Sequence, residues 1–68
     1  MFVIILTLSA DYLATVRALA AELPHVCIDT RRVQELEFRP EVTEAEVSHW
    51  VETYTASGNY DKVELIRR

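Results

Sequence analysis

Phe2-Val3-Ile4-Ile5-Leu6-Thr7 is an unbroken run of β-branched, aliphatic and aromatic residues with no glycine or proline, the composition of a buried strand. Alternation places Phe2, Ile4 and Leu6 on one face and Val3, Ile5 and Thr7 on the other. Both faces are therefore rich in apolar side chains, and a strand of that kind is ordinarily covered on both sides.

The helix that follows is announced by Ser9, whose hydroxyl can accept a bond from a free first-turn amide, with Asp11 near the positive end of the dipole and Pro24 closing the segment. Tyr12, Val16, Leu19 and Leu23, with Leu13 and Ala20 beside them, give it one apolar face. Val26 to Asp29 again has strand character, and Leu36 and Phe38 alternate with Glu35, Glu37 and Arg39 as in a strand with one wet face. Thr30-Arg31-Arg32 reads as a turn between them. No Asn-Gly or glycine fixes a tight hairpin there, so one long bent strand from His25 to Arg39 is the other reading.

Pro40 stops that segment, and Thr43 with Glu46 forms a T-x-x-E capping box flanked by Val42 and Val47 as a hydrophobic staple. The second helix starts at about Glu44, its apolar face made by Val47, Trp50, Val51 and Tyr54, and Gly58 suits a left-handed cap. Asn59-Tyr60-Asp61 turns the chain into a last strand over Lys62–Arg68. The order predicts an α+β fold, a ferredoxin-like βαββαβ two-layer sandwich with both helices on one face of an antiparallel sheet and the first and third strands at its centre. If the hairpin is one strand, the alternative is a three-stranded βαβαβ sandwich.

Residues 1–68 are read as a single small α/β domain, half apolar and about a quarter charged. A core of this size supplies only about 3–5 kcal/mol, and small domains commonly add a disulfide, a metal or a partner chain. Cys27 is the only cysteine, which excludes an intramolecular disulfide and a multi-thiolate zinc site. A partner chain remains, and a homodimer is expected. The apolar start is too short for a membrane span and lacks a basic n-region, so a cytoplasmic protein with no membrane partner is expected. Seven basic against eleven acidic residues, a net charge of −4, oppose direct binding to nucleic acid.

Helices on one face leave the other face of the sheet open, and the first strand would place an apolar stripe there, bordered by Glu37, Glu64 and Asp29. The plainer reading is a folding nucleus shaded by long neighbours. Ala14, Ala18 and Ala21 make a small-residue surface on the first helix, which alanine's helix propensity also explains. Six glutamates and one arginine between Glu35 and Glu52 predict an acidic wall, with basic residues gathered at Arg31-Arg32 and Arg67-Arg68. Such a wall can dock on the basic groove of a nucleic-acid enzyme, or be only a solvated face.

No catalytic constellation is legible. His25 and His49 lack triad or metal-site spacing, Cys27 lies in a β-type run where a buried hydrophobe is expected, and one glycine cannot make a phosphate cradle. Trp50 reads as a core anchor or, if partly exposed, an interface hot spot. Catalytic, cofactor and metal residues are thus expected to be none, and no cofactor is implied. Heavy-metal-associated domains are similar in length but carry C-x-x-C where this chain has Leu8-Ser9-Ala10-Asp11. Met1-Phe2-Val3-Ile4-Ile5-Leu6-Thr7 resembles the start of YciI-like proteins over about a tenth of the chain, without the helix-borne histidine expected there, so no function carries over.

The expected function is a non-enzymatic, acidic protein-binding module that occupies a surface of a larger partner, such as a phage-type, anti-CRISPR-like inhibitor of a host nucleic-acid enzyme or defence system. Its candidate interface is Phe2, Ile4, Leu6, Glu37, Glu44, Glu46, Trp50 and Glu52. The alternative is a dimeric ferredoxin-like small-molecule sensor or regulatory subunit, its pocket lined by Phe2, Ile4 and Leu6.

Overall fold

The computed structural model describes residues 1–68, in the order β1 (Phe2–Leu8), α1 (Ala10–Glu22), β2 (Val33–Glu37), α2 (Glu44–Ser57) and β3 (Tyr60–Arg67). It is an α+β chain whose three strands form one antiparallel sheet in the order β2-β1-β3. β1 is central, as its two apolar faces require. Its alternation sends Ile4, Leu6 and Leu8 into the buried cluster with Val47 of α2, and Tyr12, Leu13 and Val16 of α1 pack on the same cluster. No helix is long and apolar enough to cross a membrane.

The local signals place both helices correctly. The Ser9 hydroxyl accepts from the Tyr12 amide at 3.1 Å, and the Thr43 hydroxyl accepts from the Glu46 amide at 3.3 Å, so each helix begins with one of its free N–H groups satisfied by a side chain. Gly58 ends α2 in the left-handed region at φ 73°, which a side chain would strain. β3 begins at Tyr60 rather than Lys62, with an irregular register where Leu8 meets Tyr60.

Two expectations need correction. The strand expected at Val26–Asp29 does not form, nor does a continuous strand from His25 to Arg39. The Val26 amide turns back to the Leu23 carbonyl, continuing the helix end. Asp29 then accepts from the backbone and guanidinium of Arg31, and the Gln34 side-chain amide donates to the carbonyls of Asp29 and Arg31. These bonds hold 29–34 in a local turn that competes with strand pairing. No non-glycine residue has positive φ, so the tight turn that would fold 26–29 onto β2 is not made. What stands is the three-stranded βαβαβ alternative, with the neighbours of β1 as expected and one edge strand of the ferredoxin-like arrangement absent.

That missing strand leaves an open structure. Only Val3, Ile4, Leu6, Leu8 and Val47 are buried, and α1 has no buried residue. The chain exposes 4896 Å², whereas a compact monomer of its mass exposes about 4,400 Å². Its radius of gyration is 13.1 Å against about 11 Å for a compact chain of this length. With so little core, Ile4→Ala is expected to cost about 3 kcal/mol and unfold most of the population, whereas Thr43→Ala, losing one cap, costs about 1 kcal/mol; urea denaturation followed by circular dichroism reads both.

Candidate partner-binding surface

The expected apolar stripe on the open sheet face is covered by the chain in part: Val3 is buried, and Ile5 and Thr7 are half-buried. Cross-strand register puts Val3, Ile5 and Thr7 on that face, between Glu37, Glu35 and Val33 of β2 and Ile66, Glu64 and Lys62 of β3. Arg68 extends β3 and pairs with Met1 through backbone bonds in both directions. Its guanidinium lies 3.5 Å from Glu35 and 3.9 Å from Glu37, so the side chain spans the sheet from the β3 side to β2, crossing β1. The aliphatic stem of such an arginine shields apolar surface while its head stays in water, and Val3 on this face is 0% exposed.

Three residues expected at an interface are therefore elsewhere. Ile4 and Leu6 are buried in the core and Phe2 packs against them, so they form neither a partner surface nor the walls of a ligand pocket. Asp29 does not border the stripe but sits in the 29–34 turn, where the hydrogen bonds from Arg31 hold its carboxyl below the usual range. Cys27, expected as a buried strand residue, is exposed.

The acidic wall divides into two halves. Glu35 and Glu37 pair with Arg68, and Glu44 pairs with Arg67, so the C-terminal arginines neutralise one half instead of forming a separate basic surface. Glu41, Glu46 and Glu52 have no ion-pair partner. Glu46 precedes Trp50 by one turn, which places them on the same side of α2, and the Trp50 side chain is 43% exposed rather than a core anchor. The His49 ring meets the indole edge-on at 5.7 Å between centroids, and the Tyr54 ring lies tilted at 6.0 Å. A surface depression of about 410 Å³, lined by Phe38, Arg39, Glu41, Val42 and Glu46, borders this side of the helix. Glu41 and Glu46 place carboxylates at this depression beside Phe38 and Val42, with the unpaired guanidinium of Arg39 also at its lining, and Trp50 lies one turn beyond Glu46.

The aromatic packing behind this face was not legible in the sequence. Tyr54 meets Tyr60 edge-on at 5.6 Å, and Tyr60 meets Tyr12 edge-on at 5.5 Å, linking α2, β3 and α1. The only signal was composition, three tyrosines and a tryptophan in a short chain; their meeting depends on the bulged end of β1 and β3. No group of three His, Cys, Asp or Glu side chains is arranged to hold a metal ion. His25 and His49 lie exposed, in the loop after α1 and on α2. The chain matches no protein-family model, no curated protein and no solved structure.

Burial, and then the neighbouring phenols of Tyr12 and Tyr54, push the Tyr60 hydroxyl up to about 12. The folded state therefore favours neutral Tyr60, and this contribution is intact below pH 10 and lost as pH rises from about 10 through 12. Absorbance titration at 295 nm is expected to show one tyrosine ionising late, a step that Tyr60→Phe removes.

Proposed function

We propose that this chain is a non-enzymatic protein-binding module that occupies a basic surface of a larger partner through the Glu46–Trp50 side of α2. The half-exposed indole on the same side of α2 as the unpaired Glu46 carries this reading. Trp50 packs against the rings of His49 and Tyr54 while staying half exposed, and tryptophan is among the commonest hot-spot residues. Glu41, Glu46 and Glu52 supply long-range attraction to a positive partner and enforce correct orientation.

A basic groove built for nucleic-acid phosphates is the partner surface that this charge pattern fits, and occupying it excludes the nucleic acid. The biological role we propose is that of a small inhibitor of a nucleic-acid enzyme, the kind that phages direct against host defence. The net charge of −4 supports a protein rather than a nucleic-acid ligand. Glu44, being paired with Arg67, and Glu37, paired with Arg68, contribute less to this face than Glu41 and Glu46.

Affinity capture with mass spectrometry tests the reading. A tagged copy is expected to retain one defined protein at low salt and lose it as salt rises. Trp50→Ala weakens retention by about 30-fold, and a Glu41→Lys, Glu46→Lys, Glu52→Lys variant abolishes it with an unchanged circular dichroism spectrum. Equal retention by all three proteins rules out this face.

A further inference from the structure

The outer edge of β2 and the N–H groups of Cys27, Ile28 and Asp29 are unpaired backbone in one chain, although the Val26 amide is taken by Leu23 and the Asp29 carbonyl by Gln34. Leu8 donates to the Arg32 carbonyl and Phe38 donates to the Phe2 carbonyl. The bonded partners of β1 are thus the even-numbered residues of the β2 segment, and the N–H and C=O groups of Val33, Glu35 and Glu37 point away from the sheet. The N–H groups of Cys27, Ile28 and Asp29 make no hydrogen bond within the chain. An edge of this kind is a template for another strand unless it is guarded.

We infer that a second copy of this chain completes the sheet by reciprocal exchange, Val26–Asp29 of each copy pairing antiparallel with the outer edge of β2 in the other. Alternation suits this pairing. Val26 and Ile28 would join Leu36 on the helix side, and Cys27 and Asp29 would lie on the open face beside Val33 and Glu35. Direct pairing of β2 with itself about a central Glu35 sets two like charges opposite each other, which is unfavourable. Pairing within one chain is opposed by the 29–34 turn, which Asp29, Arg31 and Gln34 hold open.

The exposed apolar surface lies where this exchange would cover it. Leu19 is 46% exposed, Val26 45% and Val33 53%. Backbone bonds from Leu23 to Leu19 and from Val26 to Leu23 gather the first two of these at the C-terminal end of α1. The excess over a compact monomer is about 500 Å² per chain, below the roughly 800 Å² per partner of a standard interface, so a dimer that covers only this surface is a weak one and forms toward high concentration. The pairing is isologous and closes on itself, so it yields a dimer and not a filament. It uses a surface distinct from the Trp50 side of α2, so either reading can fail without the other.

Sedimentation velocity from micromolar to sub-millimolar concentration tests this with the wild type, Glu35→Pro and Cys27→Pro. Proline at an edge position whose N–H points outward leaves the pairing with β1 intact. At Cys27 it removes an N–H that is unpaired in the single chain. At sub-millimolar concentration the wild type is expected to sediment at twice the chain mass, and both variants at the chain mass with unchanged circular dichroism. If one variant does not fold, the other decides. A wild type that stays monomeric throughout, whether or not it binds other extended peptides, overturns the exchange, as do folded variants that remain dimeric.

Discussion

Covering β1 on both faces is the constraint from which the rest of the structure follows. Its even-numbered residues need a helical layer, and Val47, Val51 and Tyr54 of α2 with Tyr12, Leu13 and Val16 of α1 provide it. Its odd-numbered residues have no second layer. Arg68 reaches across this face from the β3 side to Glu35 and Glu37 of β2, and its aliphatic stem can shade apolar surface there. Exposed ion pairs of this kind contribute little by themselves. Their structural importance is the apolar surface they keep from water.

The same arginines decide what the acidic surface can do. Arg67 and Arg68 take up Glu44, Glu35 and Glu37, so between Glu35 and Glu52 the carboxylates without a partner are Glu41, Glu46 and Glu52. Of these, Glu46 lies one turn before the half-exposed Trp50 on the same side of α2, whereas Glu52 projects from another side. An exposed charge or a half-exposed aromatic is by itself common on protein surfaces.

Signals that act over a few residues were read well. Ser9, Thr43 and Gly58 begin or end helices through bonds and dihedrals contained within one turn, as their positions imply, whereas the reciprocal half of the Thr43–Glu46 box, from the Thr43 amide to the Glu46 carboxylate, is not made. Val26–Asp29 was misread because strand composition expresses a capacity to pair, and its partner depends on whether the chain can turn back at residues 29–34. The placing of Phe2, Ile4 and Leu6 at an interface failed similarly. Alternation separated the two faces of β1, but which face receives the helices depends on how α1 and α2 leave the sheet.

The sequence alone determined that the chain is α+β, where both helices begin, that β1 is central and that the charge is negative, because each rests on composition or contacts close along the chain. Only the tertiary structure decided the number of strands, the reach of Arg68 across the sheet, the neutralisation of half the glutamates and the exposure of Trp50. Those depend on residues from opposite ends of the chain meeting across the sheet, and their spacing in sequence carries no record of that meeting.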